Sequence, residues 1–406
     1  MTSSPASRRR RSVAASAALA LPVMLTTATP AWAAPVSETP VAGSWGPYKS
    51  CPNKPESVNC ASVYTIVSIG DRTYLAGNFT HIVSPDRKTK QLANNLVAVN
   101  ASGQPDMTFT RHTFDGPIRA MTTDGSRLYV GGSFKRVDGA YQNKVAAFSP
   151  AGQLQAFKPA TASPVRALAI SNGSLYVGST TVRKVSTATG AADESFAFPA
   201  ITSDSVNPAY VWSLLVHSGR LYAGGHWATI GGLAQHSVAA VNPSTGALDT
   251  TFKPVVESFF PQDELLGIAD MAPGPDAGIF AAQEGHSNRA YRFGPNGGRI
   301  WKKGMDGDAQ TIEVDGDTVY VGGHFTCWSG CQTATPILRN HIAAVTASKG
   351  ALLAWDPGMG ASYSPYFYGV WVARILNGSL WTGGVFNSVT TNGVTYPARK
   401  VAIFRP

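Results

Sequence analysis

Short runs in which apolar and polar residues alternate follow one another along most of the chain, punctuated by Gly, Asn, Asp and Pro. Alternation with a period of two marks half-buried strands, and no stretch beyond the first thirty or so residues sustains the 3.6-residue apolar period of a helix. One run recurs. Leu128-Tyr129-Val130-Gly131-Gly132-Ser133-Phe134 has copies starting at Tyr74, Leu175, Leu221, Val319 and Leu380, and a worn copy at Ile279-Phe280-Ala281-Ala282-Gln283. The seven copies lie roughly 40 to 60 residues apart, the spacing of a repeat array.

Residues 117–159 give the clearest unit. Pro117–Thr123 reads as a first strand, Asp124-Gly125 as a hairpin turn, and Arg127–Gly132 as a second strand. After a polar loop, Lys144–Phe148 and Gln153–Pro159 read as third and fourth strands. First strands recur at Val63–Ser68, Val165–Ile170, Val211–Val216, Ile268–Met271, Gln310–Val314 and Val370–Ile375. The pattern predicts an all-β fold, a single seven-bladed β-propeller of four-stranded antiparallel blades. The last unit stops after its third strand, and Trp45-Gly46-Pro47 repeats the aromatic-x-Pro ending of Phe157-Lys158-Pro159. Val41–Pro47 is therefore expected to pair with Lys400–Phe404 and close the ring, covering an open edge.

Charge and targeting change this picture only at the start. Arg8–Arg11, an apolar stretch from Val13 to Leu25, and Ala31-Trp32-Ala33 make residues 1–33 a signal peptide of Sec or twin-arginine type, leaving 34–406 as the folded chain. The four arginines carry +4 of the formal +9, so +5 remains, scattered along residues 34–406. Nucleic-acid binding is not expected, nor is a transmembrane anchor in the mature chain, and a secreted or cell-envelope monomer is. In that compartment the four cysteines read as disulfides, with Cys51–Cys60 and Cys327–Cys331 the local pairing among three possible connectivities.

Candidate chemistry comes from aligning the units. The residue after the Gly-Gly is His226, Glu284 and His324 in three successive units, a set that would suit a divalent metal or proton transfer. No cofactor is predicted, and a polar rim is the competing reading of these three. The third position of the first strands holds Tyr64, Arg119, Arg166, Trp212, Ala269, Gln310 and Trp371. Of these, Arg119, Arg166, Trp212 and Trp371 suit sugar or peptide binding by stacking and bidentate hydrogen bonds, as they suit packing between units. The aromatic loop with Tyr363, Tyr366 and Tyr368 is a further candidate binding surface. The Gly-Gly pairs precede no helix and no Gly-Lys-Ser/Thr, so they read as packing or bulge glycines rather than a phosphate loop. No G-x-S-x-G or H-E-x-x-H occurs.

The recurring (L/V)-Y-(V/A)-G-G-x-F, V-A-A-(F/V)-x-P and G-x-L-x-x-F-x-P segments resemble the delta-60 (DUF5122) repeats of secreted bacterial β-propellers, and the Gly-Gly ending resembles kelch repeats. The resemblance covers nearly all of residues 34–406. It implies a fold and no reaction. The expectation is an exported binding module presenting loops to an extracellular polysaccharide or protein, with no catalysis evident. A hydrolase or lyase acting on extracellular glycans or peptides, with His226, Glu284 or His324 at the reacting centre, and a structural cell-envelope protein are the alternatives.

Overall fold

The structure is a computed structural model that describes residues 1–2, 35–52, 54, 59–257, 266–285, 288–360 and 368–406. The chain divides into residues 1–32 and 33–406. Of the first unit only Met1 and Thr2 are described, so the expected signal peptide lies outside the described residues.

The second unit is built of strands, as its alternation requires. Seven antiparallel meanders follow one another, each centred on a copy of the repeated motif: Arg72–Asn78, Leu128–Gly132, Ser174–Gly178, Arg220–His226, Ile279–Glu284, Thr318–Gly323 and Ser379–Val385. Each of these strands pairs with the strand before it and the next long strand after it, as Leu128–Gly132 does with Ile118–Thr123 and Val145–Phe148. The buried side chains form seven clusters among the described residues, six of them drawn from two successive meanders. One cluster joins Val63 and Leu75 of the first meander to Val372, Trp381 and Ile403 of the last.

The expected single propeller of four-stranded blades is not what the sheets show. Among the described residues the strands fall into twelve separate sheets of two to four strands, and none closes on itself. One meander, Gly267–Gly304, has four strands. Elsewhere the expected fourth strand shrinks to a single bridge, such as Phe148–Leu154, Val241–Leu248 or Val345–Leu352. Local side-chain bonds compete with the ladder there. Asp249 Oδ1 accepts the Thr251 backbone N–H at 2.9 Å and its hydroxyl at 2.6 Å, and Asp106 does the same for Thr108 at 2.8 and 2.6 Å. Such turns leave the backbone no extended stretch to pair. The polar loops, conversely, carry strands that the pattern did not reveal, including the hairpins Arg136–Tyr141 and Thr229–Ala234.

The expected N-terminal pairing also changes. Pro40 bridges Phe404, and Val41 donates its N–H to the Ile403 carbonyl at 2.7 Å. Gly46–Tyr48, however, pairs with His81–Val83 of the first meander instead of with Lys400–Phe404. Asn59 holds it there, accepting the Lys49 N–H at 3.0 Å and donating to the Pro47 carbonyl at 2.8 Å. The Cys51–Cys60 disulfide closes the same loop, and Cys327–Cys331 forms the second disulfide.

The repeated motif has a physical reason at each letter. Its tyrosine is buried and sends its hydroxyl to a turn of the next meander: Tyr74 to the Pro150 carbonyl at 2.8 Å, Tyr129 to Thr187 at 3.2 Å, Tyr176 to Pro243 at 2.7 Å. The same rings meet the aromatic of the aromatic-x-Pro segment edge to face, as in Tyr129–Phe157, Tyr222–Phe252 and Tyr320–Trp355. The first glycine lets the next meander approach. A Cβ on Gly131 would lie 2.6 Å from Val165 Cγ1, and one on Gly383 the same distance from Val63 Cγ1. The second glycine faces a carbonyl across the hairpin: a Cβ on Gly132 or Gly225 would lie 2.2 or 2.1 Å from the oxygen of Pro117 or Tyr210.

Candidate ligand-binding site

Opposite that second glycine, the first strand bulges. Register slips by one residue between Val63 and Thr65, Ile118 and Ala120, Val211 and Ser213, Ile268 and Asp270, Ala309 and Thr311, and Val370 and Val372. The extra residues are Tyr64, Arg119, Trp212, Ala269, Gln310 and Trp371, and in the third meander Arg166 stands just before its strand. A bulge re-aims a side chain that regular pairing would send elsewhere. All seven of these residues line one narrow cavity of about 150 Å³. The structure thus brings the seven aligned positions together.

Within it the side chains form short stacks. Tyr64 and Trp371 lie nearly parallel with centroids 5.4 Å apart, and the Arg119 guanidinium sits 4.8 Å over the Tyr64 ring. Arg166 lies 5.3 Å from the Tyr210 ring and 5.6 Å from that of Trp212. Trp212 is stacked on His226 and covers Gly267, so its ring is largely part of the wall. Burial and the neighbouring Arg119 charge lower the Arg166 pKa. At the far side Asp270 is held by Arg374 at 2.9 Å and by the Thr311 hydroxyl at 2.7 Å, a neutralised group.

Arg166 and Trp212 also border a larger cavity of about 810 Å³, within the range of small-molecule sites. His226, Glu284 and His324, aligned from the repeats, all line it, joined by Asp308, Asn207 and Asn288. His226 is buried with both ring nitrogens engaged, Nδ1 with the Leu266 carbonyl at 2.9 Å and Nε2 with the Ser203 and Ser205 hydroxyls at 3.1 Å. It offers no free nitrogen to an ion, and among the described residues no group of three or more His, Cys, Asp or Glu is arranged to hold a metal. Glu284 is the member whose carboxyl is shifted. Burial, and next the Asp308 charge, push its carboxyl up to about 7, against the opposing pull of Arg166 and a hydrogen bond from Gln310. Asp308 accepts the Gly285 N–H at 2.9 Å. Asn288 Oδ1 is buried without a hydrogen-bond partner.

Sequence alignment did not single out Tyr210, Asp308 or Asn288. Asp308 immediately precedes a first strand and Asn288 a third, but their signal is a position relative to the bulge, which strand assignment alone does not give. Tyr363 and Tyr366 lie outside the described residues, and Tyr368 is half-buried just before Gly369–Leu376. A second cavity of about 630 Å³ lies elsewhere, bordered by Arg87, Lys90 and Arg399, with Lys90 4.3 Å over the Tyr48 ring. No helix among the described residues is long and apolar enough to cross a membrane.

No protein-family model matches the chain, and no curated protein does. Among solved structures, the computationally designed Ika8 protein is similar at 10% identity and a TM-score of 0.49, over 90% of this chain and 99% of its own. The extracellular domain of a one component system of B. thetaiotaomicron is similar at 11% identity and a TM-score of 0.48, over 89% of this chain. The match spans 40% of that longer chain. Likenesses this faint carry no argument about function.

Proposed function

We propose that the protein is an exported binding module that takes a saccharide in the larger cavity. The observation that carries this reading is that Arg166, Glu284 and Asp308 together line one cavity of about 810 Å³. Sugar hydroxyls both donate and accept, so a site lined by both donors and acceptors suits them better than a purely apolar ligand. Asn207 and the unpartnered Asn288 Oδ1 add amide groups of the same kind, and Tyr210 contributes an aromatic ring at the border. Two disulfides fit an oxidising compartment outside the cytoplasm. Titration calorimetry against a panel of neutral and acidic oligosaccharides tests this. Binding is expected, weakened about fivefold or more by Tyr210→Ala and by Asn288→Ala, and unchanged by Thr395→Ala, which borders the second cavity. No oligosaccharide binding, or binding lost equally in the Thr395 variant, would reject the site.

One observation favours the catalytic alternative. A carboxyl whose pKa lies near 7 beside a second carboxyl is suited to give a proton to a glycosidic oxygen. In that case the bound oligosaccharide is cleaved, reducing ends accumulate, and Glu284→Gln abolishes their release while retaining binding.

A further inference from the structure

Arg119 and Arg166 are unusual among the arginines of this chain. Most of the others answer a carboxylate or a carbonyl: Arg72 pairs with Asp106, Arg220 with Asp249, Arg374 with Asp270, and Arg127 donates to the Thr187 carbonyl. Neither Arg119 nor Arg166 has a side-chain hydrogen bond or an ion pair with any described residue. They rest on aromatic faces, which orient a guanidinium without occupying its N–H groups. Arg166 is exposed, and it lines both the narrow and the large cavity. The indole Nε1 of Trp371, another donor in the narrow cavity, is likewise buried without a partner.

Two cations held near each other repel, and partial burial takes some hydration from Arg166. A fold that maintains them with their donors empty leaves a place for an anion. We infer that Arg166 and Arg119 form an anion subsite where the two cavities meet, and that the saccharide taken there carries a carboxylate, as a uronate does. This rests on the saccharide reading above and names the class of sugar. A planar carboxylate matches the guanidinium fork. Glu284 and Asp308, which line the large cavity, disfavour a doubly charged group near Arg166, so the group held there is a singly charged carboxylate and not a phosphate.

The test is calorimetry of the full chain with trigalacturonate and with its neutral counterpart, galactotriose, at low salt and about pH 6.5. Trigalacturonate is expected to bind about tenfold or more tightly than galactotriose, with the difference shrinking as salt is added. Arg119→Gln, at a residue that borders only the narrow cavity, should remove most of that difference and leave galactotriose affinity within about twofold. Arg166→Gln, at a residue that also lines the saccharide cavity, should remove it while weakening trigalacturonate more than galactotriose. Arg166→Lys, which keeps the charge and loses the fork, should fall between. Melting temperatures identify any variant that fails to fold, in which case the lysine variant and the salt series decide. Equal affinity for both sugars, unaltered in the glutamine variants, overturns the anion subsite and leaves the saccharide site standing. Inorganic phosphate displacing trigalacturonate at equal concentration overturns the choice of carboxylate. Binding of neither sugar, with or without binding of a poly-glutamate peptide, overturns this inference and the saccharide reading together.

Discussion

Replacing Glu284 by glutamine isolates the cost of keeping a carboxyl in the cavity wall. Burial and Asp308 raise its pKa to about 7 from the usual glutamate value of 4.5. Between those values the folded protein therefore binds more protons at this site than the unfolded chain does. The stability associated with the protonated form is fully present below about pH 4.5 and is lost as pH rises through about 7. A rise of about 2.5 pH units at about 1.4 kcal/mol each corresponds to about 3.5 kcal/mol. Water in the cavity screens part of this, which makes about 2 to 3 kcal/mol the expected effect, on the order of a fifth or more of a typical domain's stability. Glutamine has the same shape and no charge. Urea unfolding at pH 4 and pH 8 should show the variant within about 0.5 kcal/mol of the parent at the lower pH. At pH 8 it should be more stable by about 2 kcal/mol or more. Glu313, also raised to about 7 by burial beside Arg374, changes the pH dependence of both proteins alike and cancels in the difference. A Glu284→Gln variant no more stable than the parent at pH 8, or a gain of equal size at both pH values, would refute the reasoning.

Two further expectations concern the frame around the cavity. Gly225→Ala should cost roughly 1–3 kcal/mol in a denaturant titration, because the new methyl would sit 2.1 Å from the Tyr210 carbonyl and disturb the bulge that presents Trp212. Gly294→Ala, whose nearest atom would be 3.6 Å away, should stay within about 0.5 kcal/mol; equal costs would show that the close approach does not matter. Removing the Cys51–Cys60 disulfide by a double serine substitution should lower stability by about 2–3 kcal/mol, the two cysteines being nine residues apart in sequence. Its loss should leave oligosaccharide affinity unchanged, since neither cysteine borders the large cavity, and a changed affinity would indicate coupling that the structure does not contain.

Much of the local structure was legible in the chain. Six first strands were expected beside the Pro117–Thr123 copy; the strand Tyr210–His217 contains the expected Val211–Val216, and Ala309–Asp315 contains Gln310–Val314. Both disulfides join the cysteines nearest in sequence. The closed seven-bladed reading failed where it leaned on pairing at the unit edges. Sequence similarity among the aromatic-x-Pro endings marked a shared tyrosine contact, as at Phe157 on Tyr129, and not a shared strand. Trp45-Gly46-Pro47 copies that ending, yet Gly46–Tyr48 pairs with His81–Val83, where Asn59 supplies partners that the strand Val401–Phe404 does not.

The candidate site divides along the same line. Which residues are aligned in the repeats follows from the sequence, and that sufficed to select Arg119, Arg166, Trp212, Trp371, His226, Glu284 and His324. Their roles do not follow from it. His226 becomes a wall residue because Ser203, Ser205 and the Leu266 carbonyl take both of its nitrogens. Glu284 becomes a raised carboxyl because it is buried and Asp308, from the next meander, stands beside it.

By itself the sequence determined an all-β chain of repeated hairpins, their core faces and the glycines between them, and it favoured the local cysteine pairing that the structure shows. Those properties arise from neighbours within a few residues, through alternation, turn chemistry and short loop closure. Only the tertiary structure decided that the bulged residues meet in one cavity, that Arg119 and Arg166 make no side-chain hydrogen bond or ion pair with any described residue, and that Glu284 lies beside Asp308. Charge and burial at those groups depend on side chains brought from distant meanders, and no local pattern encodes that distance.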